Sequence, residues 1–380
     1  MPLSSMMETI KIHQQSGKSF KAFIGLDGFV DELLNVVDIR QNADNFSKIK
    51  TLAAYGDRIS RAAGLSTNVE LVSIVRKLGG NGPIFANALA EQGLDVTYVG
   101  ALGETSIHPV FEPMGEKCKL FPISDPGLSF NLEFDDGKLI MVKQDPLNKI
   151  TWDVVKEKVG LEEIISLVGA DDLDLFGLEN WALIPNMNDV FNGILDEVLP
   201  LIDPKGKLAF FDLCDSEKRL DEDLVEAIGL IKRFSSHFRV VLGVNLKEAA
   251  QVATALGIEG LMPSGGTIED IDLEEITVTI GKLLGIHCFV VHALRDAGAY
   301  AEGKYHYASG FYTPTPKLTT GAGDNFNAGL CLGLLMELSY NEALLLGTAS
   351  SGFYVREAKS ADLSGLIDIL ETRKEITNEL

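Results

Sequence analysis

Sulfur and imidazole are scarce in this chain. Its 380 residues include four cysteines, at 118, 214, 288 and 331, with no Cys-x-x-Cys pair. Several lie in apolar stretches, so they read as reduced core residues of a cytoplasmic protein and not as a disulfide framework. The six histidines, at 13, 108, 237, 287, 292 and 306, show no metal-ligand spacing. His292 is expected to pack in or beside a strand. Basic residues are also few: 33 Lys and Arg against 55 Asp and Glu give a net charge of −22. A protein that reads a nucleic-acid backbone needs clustered Lys and Arg, and an anionic membrane surface would repel this chain. No run approaches 18 apolar residues, so no membrane span is expected, and Met1 to Lys11 lacks the layout of a secretory signal. There is no Gly-x-Ser-x-Gly elbow, and no complete Gly-x-Gly-x-x-Gly follows a first strand. Ser16-Gly17-Lys18-Ser19 fails as a P-loop because Ile12 stands where its first glycine belongs.

What remains is the composition of a globular α/β protein. Hydrophobic residues make up 46% and charged residues 23%. Apolar strand-like runs at 21–26, 96–100, 172–178, 207–212, 239–243 and 287–292 alternate with amphipathic helical stretches. That alternation predicts a mostly parallel sheet with helices on both faces. Residues 128–143 differ, because two strand-like runs flank Asp135-Asp136-Gly137, a strong hairpin signal. Residues 40–65 are polar and helical in pattern, and the tail from Ala361 to Leu380 reads as a surface helix. No repeat, low-complexity tract or Pro/Ser-rich linker divides the chain.

The most telling stretch is Leu318-Thr319-Thr320-Gly321-Ala322-Gly323-Asp324, followed at once by an apolar helical pattern. Small residues let a backbone turn sharply and approach a ligand closely. The first amides of the following helix have no internal partner, and the helix dipole adds to their pull on a phosphoryl group. Asp324 stands at the mouth of that site, where it can take the proton of an attacking hydroxyl. Three further stretches have the form of ligand turns. Gly79-Gly80-Asn81 opens a helix that Gly93 stops. The strand 21–26 runs into Asp27 and Asp31. The strand 239–243 delivers Asn245 and Glu248 in a capping arrangement.

Together these segments resemble the ribokinase, or PfkB, family of carbohydrate kinases over about residues 20–360. The family's Asp-Thr-x-Gly-Ala-Gly-Asp signature matches 318–324, with Leu318 in place of the leading Asp that helps hold a monovalent cation. Its Gly-Gly signature matches 79–103, with Ile84 where the family has a sugar-binding Asn. Asn81 and Asn87 are candidate replacements. The resemblance implies a ribokinase-like three-layer α/β/α fold, a single kinase domain over 1–380, and a small β lid. Lid elements are expected at about 29–40 and 128–143, with 40–65 inserted beside them. It implies ATP as phosphoryl donor, Mg2+ as cofactor, and a sugar or sugar-like hydroxyl as acceptor. In catalysis Asp324 would be the base, and the amides of Gly321, Ala322, Gly323 and Asp324 an anion hole. The sugar would be gripped by Asp27, Asp31, Gly79, Gly80, Asn81 and Asn87, with Asp31 favoured over Asp27 as the main carboxylate. The nucleotide side would draw on Asn245, Glu248, Arg295, Gly298 and Thr320, with Glu248 reaching the metal through water. A homodimer through the lid also follows from the resemblance. A nucleoside kinase on the same fold, using Phe29, Phe130 or Phe134 as a base platform, stays open. So does a silent binding homologue, since Leu318, Ile84, Ala293 and Arg295 all depart from the pattern.

Overall fold

The computed structural model describes residues 3–261 and 266–377. Among these residues the main sheet has nine strands. They are β1 (Lys21–Leu26), β5 (Asp95–Gly100), β6 (Cys118–Pro122), β9 (Leu173–Leu178), β10 (Leu208–Asp212), β11 (Arg239–Asn245), β12 (Cys288–His292), β13 (Asp296–Ala301) and β14 (Lys304–Ser309). Their order is β14-β13-β12-β11-β10-β9-β1-β5-β6. The strands from β12 to β6 are parallel, and β13 and β14 add an antiparallel edge. The order grows in one direction from β1 through β5 and in the other through β9. The crevice at the carboxyl ends of β1 and β9 is therefore the switch point where α/β sheets place ligands.

Both faces of the sheet are covered, which is why its central strands are nearly continuous in apolar residues. One face packs α5 (Trp152–Val159), α6 (Leu161–Val168), α7 (Met187–Gly193), α8 (Asp221–Phe234), α9 (Leu246–Ala255) and α10 (Leu273–Leu284). The other packs α1 (Leu3–Ser16), α3 (Asn81–Glu91), α4 (Glu112–Gly115), α11 (Ala322–Leu335), α12 (Tyr340–Glu357) and α13 (Leu363–Thr377). Alternate residues of one strand serve the two cores: Phe210 joins the second and Phe211 the first. The six anticipated strands appear within two residues of their expected ends. The tail departs from expectation. Leu366 and Leu370 of α13 are fully buried against the second core, so this is a packed helix and not a surface one. Residues 378–380 lie outside the described residues.

A second, smaller sheet stands beside the crevice. It contains β2 (Phe29–Arg40), β3 (Phe46–Lys48), β4 (Leu71–Gly79), β7 (Gly127–Phe134) and β8 (Gly137–Lys143). β2 pairs with β4 on one side and β7 on the other, and Asp135-Asp136 turn β7 into β8. The 40–65 stretch forms β3 and α2 (Leu52–Arg61). It docks on this sheet: Tyr55 packs against Phe134, and the Leu52 amide donates to Asp136 Oδ1 at 2.8 Å. β4 and β8 leave many apolar side chains exposed, among them Ile74, Val75, Ile140, Met141 and Val142. No helix among the described residues is long and apolar enough to cross a membrane.

Candidate active site

The carboxyl end of β1 holds the start of α3. Asp27 follows β1 directly, is fully buried, and accepts from the amides of Asn81 (3.0 Å) and Gly82 (2.8 Å) and from Asn180 Nδ2 (2.6 Å). It thus caps α3 from a distant part of the chain, satisfying first-turn donors that the helix cannot. Gly80 has φ 93° and no room for a side chain, since a Cβ there would lie 2.6 Å from Asp27 Oδ2. Burial pushes the Asp27 carboxyl up to about 6, against the pull of its donors. Asp27 was expected to grip a substrate; in the structure its oxygens are taken by the protein and sealed from solvent.

Asp31 occupies the other position. It lies on β2, paired with Lys77 of β4 and Ser129 of β7. A Cβ on Gly79 would come within 2.1 Å of Asp31 Oδ1, so that glycine exists to let the carboxylate lie over the turn. Burial raises Asp31 to about 6, while Lys77, a hydrogen bond from Ser129, and Lys138 pull it down. Asn87 is half-buried two turns into α3. Ile84 packs near Gly321 and not towards Asp31.

Asp324 is the third residue of α11, whose cap is Gly321 at φ 97°. Asn325 Nδ2 donates to the Gly321 carbonyl at 2.8 Å and fixes the loop. The Ala322 amide closes onto Thr319 O at 3.1 Å, so it is spent inside the turn. The anticipated four-amide hole narrows to Gly321, Gly323 and Asp324, whose amides have no partner among the described residues. Asp324 is buried and accepts from Asn81 Nδ2 at 2.9 Å, which ties it to the Gly79-Gly80 turn. Burial, joined by the charges of Asp27, Glu248 and Asp31, pushes its carboxyl up to about 8, although the Asn81 bond opposes this.

The sheet supplies more acids than the sequence reading anticipated. Glu179, just after β9, is fully buried and neither carboxylate oxygen has a partner. Burial, with the charges of Asp212, Asp324 and Asp27, raises it well above the ordinary range. Asp212 ends β10, accepts from Asn327 Nδ2 at 3.3 Å, and leaves Oδ1 unpartnered. The available signal for both Glu179 and Asp212 was a buried strand running straight into an acid.

On the far side of the α11 N-terminus lies a cavity of about 460 Å3. Asn245, His292, Ala293, Thr319 and Gly323 line it, and its volume suits a small-molecule ligand. Asn245 and Glu248 form a reciprocal cap on α9, with bonds of 2.9 and 2.8 Å. Glu248 Oε1 also accepts from the Asp215 amide at 2.9 Å, and burial raises the Glu248 carboxyl. His292, which the sequence placed in or beside a strand, lines this cavity. It sits on Phe326 at 5.0 Å, and burial lowers it to about 4, so the ring is neutral at pH 7. Two expected nucleotide contacts are not brought here. Arg295 stacks on Tyr312 at 4.0 Å and lines an adjoining cavity with Tyr305 and Tyr307, which shares Ala293, Leu294 and Tyr312 with the cavity beside His292. Gly298 is buried in β13, where its missing side chain admits the Tyr305 ring. Thr320 lies at the loop: its carbonyl accepts from Tyr354 at 2.8 Å and its hydroxyl from Lys138 of β8 at 2.9 Å.

Known proteins share this organisation. A family model for prokaryotic ketohexokinase matches residues 11–372. The ketohexokinase of Haloferax volcanii is 28% identical over 338 residues, covering 88% of this chain and 87% of that protein. Among solved structures, Arabidopsis thaliana ribokinase complexed with ribose and ATP superposes with a TM-score of 0.63 at 15% identity, covering 93% of this chain and 98% of that one. The nucleoside kinase of Methanocaldococcus jannaschii gives 0.58 at 11%, over 94% and 99%. Those two structures speak to the fold, which is that of ribokinase. With the family model spanning nearly the whole sequence, the chain belongs to the prokaryotic ketohexokinase family of carbohydrate kinases.

Proposed function

We propose that this carbohydrate kinase transfers the γ-phosphoryl group of ATP to a hydroxyl of a ketohexose. The observation that carries the reading is a buried carboxylate, Asp324, in the first turn of a helix whose neighbouring amides are unpartnered, tied through Asn81 to the turn beside Asp31. Asp31 accepts hydrogen bonds from substrate hydroxyls. The hydroxyl oxygen attacks the γ-phosphorus as its proton passes to Asp324. The bond from that phosphorus to the β,γ-bridging oxygen breaks, and its electron pair leaves with ADP. The amides of Gly321, Gly323 and Asp324 stabilise the charge that develops on the phosphoryl oxygens. Adenosine occupies the cavity beside His292, and Asn245 faces the phosphates.

No group of three His, Cys, Asp or Glu among the described residues could hold a metal directly. Mg2+ would keep several waters and bind mainly through substrate phosphates. Glu248 and the unpartnered oxygen of Asp212 are the groups that would orient those waters, and the ion would offset phosphate charge.

The same reading takes residues 1–380 as one cytoplasmic kinase domain with the small sheet as its lid. Two copies pair through the apolar residues exposed on β4 and β8. Sedimentation of the wild type and Ile140→Lys tests the pairing, which fails if the wild type is monomeric. The activity test is ADP release from Mg-ATP with ketohexoses, aldohexoses, pentoses and nucleosides, alongside Asp324→Asn. Turnover confined to ketohexoses and lost in the variant supports the reading. Preference for a nucleoside overturns it.

A further inference from the structure

The site is poor in cations for a reaction that moves a phosphoryl group. Asp324, Asp31, Asp27, Glu179, Asp212 and Glu248 all surround the crevice, and the helix amides carry only partial charge. Arg295, the cation expected there, is held on the Tyr312 ring and does not itself line the cavity beside His292. Two lysines fill the gap, and both come from the small sheet. Lys77 on β4 is opposite Asp31 in register. Burial lowers its ammonium, while Asp31 and Asp324 draw it back up and Lys138 pushes it down further, which places all four groups within electrostatic reach. Lys138, near the start of β8, donates to Thr319 Oγ1 at 3.2 Å and to Thr320 Oγ1 at 2.9 Å. Its other neighbour is Glu133 at 3.8 Å, and its side chain is 25% exposed.

The threonines that Lys138 touches immediately precede Gly321. The ammonium therefore already sits on the loop that leads into α11. Two neutral hydroxyls and a distant carboxylate are weak partners for a half-buried ammonium, and a phosphoryl oxygen is a stronger one. We propose that Lys138 is a catalytic residue carried by the lid, its ammonium hydrogen-bonding the transferring γ-phosphoryl group opposite the amides of Gly323 and Asp324. The proposal rests on the kinase reading above. As the β,γ bond breaks, charge shifts between the phosphoryl and ADP oxygens, and a fixed ammonium at that point lowers the barrier. Because Lys138 rides on β8, the contact forms only when the lid lies over the loop. Transfer is then coupled to closure, which excludes water as a competing acceptor.

The test compares Lys138→Met, which keeps much of the apolar stem, with Lys138→Arg and with Lys143→Ala, further along the same strand. For each, kcat and both KM values are measured with fructose and Mg-ATP, and the affinities for AMP-PNP and ADP by titration calorimetry. Lys138→Met should lower kcat by about 10²-fold, the usual loss for one charge-stabilising donor. It should weaken AMP-PNP about tenfold and leave ADP unchanged, since only AMP-PNP carries the γ position. Lys138→Arg should recover part of the rate, and Lys143→Ala should match wild type. A Lys138→Met kcat within threefold of wild type, or equal weakening of AMP-PNP and ADP, overturns the proposal. Wild type inactive on every sugar would sink the kinase reading, and the AMP-PNP to ADP comparison would still decide Lys138.

Discussion

The main sheet and the small sheet are built on opposite terms. Central strands such as β10 and β12 are buried on both faces and carry almost unbroken apolar sequence. Strands β4 and β8 of the small sheet are exposed along most of their length, with apolar residues open to solvent on both faces. The site lies on the border. The main sheet and its helices supply Asp324, the partnerless amides and the buried acids. The small sheet supplies Asp31, Lys77 and Lys138. Groups on the rigid side can be held in costly, desolvated states because the surrounding core over-determines them. Groups on the other side stand on a sheet that has few buried contacts of its own.

That division can be broken from either side. Asp324→Asn, on the rigid side, should cost the most: about 10³-fold in kcat for the loss of a general base, with the fold intact by circular dichroism. Asp31→Asn, on the small-sheet side, should lower kcat/KM for the sugar by roughly 10- to 100-fold. That is the loss expected when charge-assisted hydrogen bonds become neutral ones, and KM for ATP should stay unchanged. A larger effect at Asp31 than at Asp324 would reverse the assignment of roles. Asp27→Ala removes a cap and leaves the Asn81 and Gly82 amides and Asn180 without their acceptor. Denaturant unfolding should show a loss of about 2 kcal/mol, and a variant as stable as wild type would return Asp27 to the substrate.

The acids also predict a pH dependence of stability. Asp27, Asp31 and Asp324 have folded values raised from 3.8 to about 6, 6 and 8. A raised carboxyl stabilises the fold below its unfolded value, and that contribution is lost as pH rises through the folded value. The melting temperature of the ligand-free protein should therefore fall between about pH 4 and 8. In Asp324→Asn the part of that fall between about pH 6 and 8 should vanish, a stability gain at the expense of activity. A flat wild-type profile would contradict the burial argument. The smallest effect is expected at Arg295→Ala, whose stacking on Tyr312 is worth about 0.5–1 kcal/mol. KM for ATP should change less than threefold.

Much of the architecture was legible because the main sheet announces itself. A strand buried on both faces needs a continuous apolar run, and those at 21–26, 239–243 and 287–292 could hardly be anything else. The Asp135-Asp136-Gly137 hairpin was legible because its turn chemistry is local. β4 was not: Leu71 to Gly79 is exposed on both faces and is a strand only because β2, some forty residues earlier, pairs with it. The tail helix was legible as a helix but not as a buried one, since its packing against the second core is a long-range fact.

In the site, Asp324, Gly321 and the Asn245–Glu248 cap were readable because each depends on a helix end, and helix ends are encoded within a few residues. Sequence alone therefore determined the α/β class and the Gly321–Asp324 turn that opens α11. Tertiary structure separated the two aspartates after β1, since only the approach of Gly79 and Gly80 shows that Asp27 caps α3 while Asp31 lies over the Gly79 turn. It also decided that Arg295 is held on Tyr312, and that Lys138, lying 182 residues from Thr320 along the chain, reaches the loop. Spacing along a chain fixes neighbours over a turn or two, whereas the charge balance of a crevice is set by which strands the fold brings to its rim.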